Sequence, residues 1–211
     1  MIFHDRADAG HRLAAALGHL AETDPVVLGL PRGGVAVAFP VASALGAELD
    51  VIVVRKLGVP SQPELAMGAL GEGGVVVVHQ AVVADSGVGP AAFAEVERAE
   101  RAELQRRATA YRGVRPRVEL TGRCAVVVDD GVATGSTARA ACQVARALGA
   151  SRVVLAVPVG PPGIASELAD AADEVVCVAQ PGSFFAIGEA YEDFAPTSDA
   201  QVIDLLARAR R

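Results

Sequence analysis

The run Val126-Val127-Val128-Asp129-Asp130-Gly131-Val132-Ala133-Thr134-Gly135-Ser136-Thr137 constrains the fold more than any other stretch of the chain. A short β-branched apolar run delivers two adjacent carboxylates, then a loop of small residues, then an Ala-rich helix from Ala138 to Leu148. In a parallel sheet this order puts both acids at the carboxyl end of a buried strand, the edge at which open α/β folds bind ligands. Residues 131–137 have almost no side-chain bulk, so their backbone N–H groups can wrap an anion. The helix N-terminus that follows adds a favourable dipole for the same charge. Acids beside an anion site make sense where they hold hydroxyls or a cation. The combination describes a site for a sugar phosphate carrying a diol and a metal.

Other readings of the run fit less well. A P-loop needs Lys before its Ser/Thr, and here Gly135 precedes Ser136; the dinucleotide fingerprint Gly-x-Gly-x-x-Gly is absent. A plain strand-to-helix turn would use one Asp as a cap, which leaves the second acid unexplained.

Bulk properties narrow the class. The 211 residues predict one domain, with room for an appended subdomain. The chain is 52% apolar but only 4% aromatic, without Trp, which fits a Val/Ala-rich parallel sheet covered by helices on both faces. The longest uncharged stretch, residues 33–47, has 15 residues and contains Pro40, short of the roughly 20 that a spanning helix needs. No membrane partner is therefore expected. The polar opening with Asp5 and Arg6 shows no secretory pattern. A net charge of −6 argues against nucleic acid as a partner. Charges from Glu95 to Arg107 alternate, with Glu97/Arg101 and Glu103/Arg107 at i,i+4, and read as a solvated helix face. Cys124, Cys142 and Cys177 are odd in number and set among apolar residues, as reduced core thiols of a cytoplasmic protein would be. His4, His11, His19 and His79 do not cluster with them, so no zinc site is expected.

Periodicity predicts an amphipathic helix over 8–20, a buried strand over 26–30, a helix over 35–45 and a second strand over 50–55. A long segment, 57–74, intervenes. Residues 75–79 and 81–84 read as a strand pair, and 90–111 as a helix. Strand 123–128 leads into the acidic loop. Helix 138–148, strand 152–158, helix 163–171 and strand 174–179 follow, then a turn, an aromatic-rich piece over 184–194, and a helix over 199–211. That last helix opens on Ser198-Asp199-Ala200-Gln201, a capping box. Alternating strand and helix predict a doubly wound, mostly parallel α/β sheet flanked by helices.

Further segments converge on the same ligand. Leu30-Pro31-Arg32-Gly33-Gly34 ends the first strand, on the same sheet edge as Asp129. Gly33 and Gly34 let the backbone approach a ligand closely, and Arg32 can pair with phosphate oxygens. A strained or cis peptide near Pro31–Arg32 is compatible with this turn but is not fixed by the sequence. Arg55 and Lys56 close the second strand with two cations; a surface ion pair is the competing reading. The connection over 57–74 is long for a compact domain, as lids and binding loops are. Phe184 and Phe185 offer a flat face for a nucleobase, although paired Phe in an apolar stretch are as often core.

Residues 126–137 also resemble the phosphoribosyl-pyrophosphate (PRPP) signature of type I phosphoribosyltransferases: apolar strand, two acids, small residues, Thr-Gly, any residue, Thr. The resemblance extends to Leu30–Gly34, similar to that family's pyrophosphate loop. It includes Val53–Gly58, similar to the Arg-Lys-x-Gly stretch of the adenine enzymes. Residues 181–188 resemble the hood of 6-oxopurine enzymes, with Phe185 three before Gly188 and Asp193 one position late. The Asp that 6-oxopurine enzymes usually place in the phosphate loop is replaced by Ala133, as in adenine enzymes. The resemblance implies that Asp129 and Asp130 take the ribose diol and that Ala133, Thr134, Gly135, Ser136 and Thr137 take the 5′-phosphate. It assigns the pyrophosphate to Arg32, Gly33, Gly34, Arg55 and Lys56, and the base to Phe184 and Phe185. Mg2+ is the implied cofactor, held chiefly by donor oxygens and water beside Asp129 and Asp130. Catalysis falls to Asp129, Asp130, Arg55 and Glu72, with Glu72 acting on the base or leaving group.

These implications divide the chain into a PRPP-binding core, 1–179, with a flexible loop at about 57–74, and a C-terminal hood and helix, 180–211. They imply transfer of the phosphoribosyl group from PRPP to a purine-like nitrogenous base with release of pyrophosphate. The alternative is a non-catalytic PRPP-binding regulator. A metal-dependent sugar-phosphate hydrolase is a third reading, and it lacks a His or further acid cluster. A homodimer is common in the family that the chain resembles.

Overall fold

A computed structural model describes residues 2–113 and 116–209. Its main sheet has five parallel strands. These are β1 (Pro25–Gly29), β2 (Glu48–Val51), β6 (Cys124–Val128), β7 (Arg152–Val159) and β8 (Glu174–Ala179), arranged in the spatial order β2-β1-β6-β7-β8. Pairing is in register from Pro25↔Cys124 to Gly29↔Val128, so β1 and β6 end side by side. Val26, Leu28, Ala125 and Val127 turn to one face, and Val27, Val126 and Val128 to the other. That strict alternation, with both faces buried, is what the Val-rich runs dictate.

On one face lie α1 (Arg6–Ala16) and α2 (Gly33–Leu45), with Leu13, Leu17, Val37 and Val41 in the core, and α7 (Asp199–Arg208) packs against α2 and adds Val202 and Leu206 to the same cluster. The other face is covered by α5 (Ser136–Ala147) and the short α6 (Ile164–Glu167). Gly10 brings α1 against α2: a Cβ there would stand 2.4 Å from the Val37 carbonyl oxygen. This close crossing fixes the start of α1 beside the start of α2. The doubly wound α/β class holds.

The predicted second strand stops early. β2 ends at Val51, Ile52 and Val53 leave the sheet, and β3 (Val54–Val59) begins a separate antiparallel sheet with β4 (Gln62–Gly71) and β5 (Val76–Val78). Residues 57–74 are thus largely a strand hairpin rather than an irregular loop. Its base is anchored by buried Leu57, Val59, Met67 and Leu70, while residues 60–65 at its tip are exposed. The strand expected over 81–84 is instead α3 (Gln80–Asp85), and the helix expected over 163–171 shrinks to α6. The first helix ends at Ala16, with a 3₁₀ segment after it. The segment 90–111 is α4 (Pro90–Arg112).

The C-terminal boundary also differs from expectation. Val202 and Leu206 of α7 sit in the main core, so this helix belongs to the α/β body and not to the hood. The predicted capping box at Ser198 and Gln201 is formed; the expected end of this helix at Arg210 and Arg211 lies outside the described residues. The rest of the expected hood, residues 180–197, packs with the chain's first residues. Phe3 bridges Tyr191, and the amides of Ile2 and Phe3 donate to the Ala190 carbonyl. Phe3, Ala190 and Tyr191 form a small cluster with Ala9 of α1 and Val159 of β7, and Phe184, Ile187 and Phe194 pack against it.

The long helix α4 is held by a buried charge network. Asp50 is fully buried and accepts from Arg112 Nη1 at 2.6 Å and from the Val118 amide at 2.9 Å. Arg112 also donates to both oxygens of Glu72, at 2.8 and 2.6 Å. Every buried charge here is paired, as burial requires. The network ties α4 to β2 and to the end of the hairpin.

Candidate active site at the carboxyl edge of the sheet

Because β1 and β6 end together, the turn at 30–34 and the acidic pair meet. Asp129 and Asp130 leave β6 and the Pro31-Arg32-Gly33-Gly34 turn leaves β1; the Pro31–Arg32 peptide is cis. The turn presses directly on the acids. A Cβ on Gly34 would lie 2.6 Å from the Val128 carbonyl oxygen and 2.9 Å from Asp129 Cα, and one on Gly33 would lie 1.9 Å from Asp130 Oδ2. Gly34 allows close approach of the two backbones, and Gly33 leaves room for the Asp130 carboxylate.

The two acids stand in different surroundings. Asp129 Oδ1 accepts from the Asp130 amide at 2.9 Å, while burial and the neighbouring Asp130 charge push the Asp129 carboxyl well above the usual carboxylate range. Asp130 Oδ2 accepts from Arg6 Nε at 2.8 Å, and its carbonyl accepts from the Tyr191 hydroxyl at 2.5 Å. Burial raises the Tyr191 phenol further above its ordinary range and keeps it a donor.

Beyond the acids the loop curls into a cup of about 180 Å³, lined by Asp129, residues 131–138 and Ile187. Gly135 sits at φ +73° as the N-cap of α5, a left-handed conformation that suits glycine. Thr134 and Ser136 hydroxyls lie 3.1 Å apart at the rim. Ala133, Thr134 and Thr137 are exposed, and the first turn of α5 points its amides at this space.

A larger cavity, about 540 Å³, opens on the other side of Thr137, which borders both spaces. Leu30 and Pro31, Arg55 and Lys56 of β3, and Glu100 and Arg107 of α4 line it. Arg55 Nε donates to Glu100 at 2.6 Å, and Lys56 Nζ lies 3.0 Å from Glu64. Arg55 and Lys56 therefore share the cavity although they do not end the second strand. Arg32 is exposed at the turn.

Two expected residues stand elsewhere. Glu72 is engaged by Arg112 in the network beneath the hairpin and does not line either cavity, so its placement as a catalytic group is not supported by the geometry. The aromatic pair divides: Phe184 packs on the hood's small core, while Phe185 is 86% exposed. Asp193 Oδ1 accepts from the Ala195 amide at 2.9 Å.

Several residues carried no local signal. Arg6 belongs to the polar opening before the predicted first helix, and nothing local marks Tyr191. Glu100 and Arg107 belong to the alternating charges of α4, where the expected Glu97–Arg101 and Glu103–Arg107 pairs do form, at 2.5 and 2.7 Å. Only the packing of α4 across β3 turns part of that face into the cleft.

Among the described residues there is no group of three or more His, Cys, Asp or Glu able to hold a metal ion, and no helix is long and apolar enough to cross a membrane. Two adjacent carboxylates, one already paired with Arg6, suit a cation held mainly through ligand oxygens and water.

Two Mycobacterium tuberculosis proteins, from strains CDC 1551 and H37Rv, carry the provisional name phosphoribosyl transferase. Each is 59% identical over 210 residues, covering 100% of this chain and 47% of the relative. The chain thus spans about half the length of the curated relatives it matches. The crystal structure of TT1426 from Thermus thermophilus superposes with a TM-score of 0.93 at 45% identity, covering 99% of each chain. The family model described as "phosphoribosyl transferase domain" matches residues 3–193, and this chain belongs to that family.

Proposed function

We propose that the protein transfers the phosphoribosyl group of PRPP to a ring nitrogen of a purine-like base, releasing pyrophosphate. The observation that carries the reading is the alignment of three features on one sheet edge. The acidic pair 129–130, the amide-lined cup and the cationic cavity are contiguous, with Thr137 bordering both cavities. An activated pentose has three matching parts: a diol, a 5′-phosphate and a pyrophosphate.

In this reading the cup takes the 5′-phosphate through the loop amides and the Thr134, Ser136 and Thr137 hydroxyls. Asp129 and Asp130 accept hydrogen bonds from the ribose hydroxyls. The amides of the 31–34 turn, with Arg32, Arg55 and Lys56, hold the pyrophosphate. The anomeric carbon–oxygen bond breaks as the carbon–nitrogen bond forms, through an oxocarbenium-like state; the electron pair leaves with pyrophosphate and the nitrogen's proton is lost to solvent. Mg2+, when bound, neutralises charge on the leaving pyrophosphate. The chain's contribution is positional and electrostatic. Phe185, exposed on the hood, is the surface on which the base stacks. Free Cys124, Cys142 and Cys177 fit a reducing, cytoplasmic setting.

One observation favours a second reading, a PRPP-binding regulator. Glu72, the acid that the resemblance places at the base or leaving group, and Asp193 of the hood are both engaged by other partners, and Ala133 replaces the acid of the 6-oxopurine enzymes. An assay of pyrophosphate release from PRPP with Mg2+, across a panel of nucleobases, separates the two. Base-dependent release is the expected result. Saturable PRPP uptake with no release for any base would assign the regulatory reading, and release without a base would indicate hydrolysis.

A further inference from the structure

Arg6 is the first residue of α1, remote in sequence from the acidic loop, yet its guanidinium makes three contacts at the site. Nε donates to Asp130 Oδ2 at 2.8 Å, Nη1 donates to the Ala195 carbonyl at 2.7 Å, and the group lies 4.0 Å over the Phe194 ring. Phe194 stacks on Tyr191 with centroids 4.9 Å apart, and the Tyr191 hydroxyl closes the circuit on the Asp130 carbonyl. The ion pair is well sheltered, with side chains 12% and 14% exposed. On its far side Gly33 leaves no spare room: a Cβ there would also lie 3.0 Å from Arg6 Nε.

We propose that Arg6 is a positioning residue of the donor site, clamping the Asp130 carboxylate in one orientation from the start of α1 while it grips Phe194 and Ala195, so that diol recognition depends on the hood being seated. The inference rests on the reading of the acidic pair as the diol site. Its physical basis is charge and geometry together. Two neighbouring carboxylates repel, and one fixed cation at Asp130 lets the pair persist at the sheet edge. A carboxylate offers about four acceptor positions, so one Arg6 contact orients the group and leaves room for hydroxyl donors. The planar fork of Arg reaches Asp130 and the Ala195 carbonyl at once, which a Lys ammonium cannot do with the same geometry. Because Ala195 and Phe194 belong to the hood, the segment that presents Phe185 is mechanically joined to the group that holds the ribose.

A bolt serving only to fasten the two ends of the chain would predict different behaviour, and so would a latch that blocks Asp130. The test is calorimetric titration of Mg–PRPP into wild type, Arg6→Met, Arg6→Lys, Asp130→Asn and the Arg6→Met/Asp130→Asn double variant, with thermal melting of each. Arg6→Met should weaken donor binding by about tenfold to a hundredfold, the range of a charge-assisted hydrogen bond, and Arg6→Lys should recover part of that loss. In the Asp130→Asn background the same Arg6→Met change should add little, since both act through one carboxylate. In turnover, the donor KM should rise more than kcat falls. Donor affinity unchanged or increased in Arg6→Met, or losses that simply add in the double variant, would overturn the inference. If Arg6→Met does not fold, Arg6→Lys with and without Asp130→Asn decides the same question. No donor uptake by wild type would overturn the parent reading, and this one with it.

Discussion

Gly33 and Asp130 occupy the same space to within a methyl group: a Cβ on Gly33 would stand 1.9 Å from Asp130 Oδ2. The obstacle is the end of a side chain and not backbone, so a Gly33→Ala variant can fold by pushing the carboxylate aside. Its melting temperature should change little, while Mg–PRPP affinity should fall by about tenfold or more as the Arg6 bond is lost. Gly34→Ala meets backbone, the Val128 carbonyl at 2.6 Å, and should instead cost stability, about 1–3 kcal/mol by overpacking. Calorimetry and thermal melting of the two variants give the contrast directly. Wild-type donor affinity in Gly33→Ala would remove the turn from the donor site.

Phe184 and Phe185 are adjacent and should respond oppositely. Phe185 is 86% exposed, so Phe185→Ala should leave the melting temperature nearly unchanged and raise the acceptor KM by the worth of one base stack, about 1–3 kcal/mol. Phe184 is partly buried against the small cluster that includes Phe3 and Tyr191; Phe184→Ala should lower the melting temperature. Steady-state kinetics with the accepted base, alongside melting curves, check both. An unchanged acceptor KM in Phe185→Ala would mean the base stacks elsewhere.

Arg55 reaches the larger cavity with its Nε on Glu100, an arrangement that fixes the guanidinium before a ligand arrives. Arg55→Met should weaken inhibition by free pyrophosphate by about tenfold or more, the scale of a lost charge-assisted contact. Glu100→Gln keeps a hydrogen-bond acceptor and should have the smaller effect. Inhibition constants for pyrophosphate at one ionic strength measure this; equal constants in Arg55→Met and wild type would contradict the assignment of the cavity.

The cysteines give a prediction independent of function. Burial pushes the Cys142 thiol up to about 12 and that of Cys177 up to about 11, and Cys124 is raised as well. A raised thiol stays protonated as pH climbs, so at pH 8 the Cys177 thiolate is only about one part in a thousand, and thiolate is the reactive form. Iodoacetamide at pH 8 should label all three slowly in the folded protein and quickly in denaturant. Rapid labelling of Cys142 without unfolding would contradict its burial.

What could be read from the sequence was what local pattern carries. Val126–Thr137 specified strand, acids, small-residue loop and helix start, and the capping box at Ser198 and Gln201 appears as read. Long-range geometry was not legible. Nothing near Val54 announces that the chain leaves one sheet for another, because a β-branched run looks alike in both. The alternating charges of α4 look solvated until the helix is laid across β3, when Glu100 meets Arg55. Arg6 lies 124 positions from Asp130, and no periodicity links them; only the crossing of α1 over α2, permitted by Gly10, brings it to the site. Glu72 stood out as an acid in a loop, and its partner Arg112 is supplied by a helix 40 residues on.

If one sheet edge grips one activated pentose, titration of Mg–PRPP into wild type and into the Asp129→Asn/Asp130→Asn variant is the deciding experiment. Wild type should take up one equivalent, and the variant, still folded, should lose affinity by about a hundredfold or more, as two hydrogen bonds to charged acceptors would require. No uptake by wild type, or equal affinity in both proteins, would show that the acidic pair does not hold the pentose.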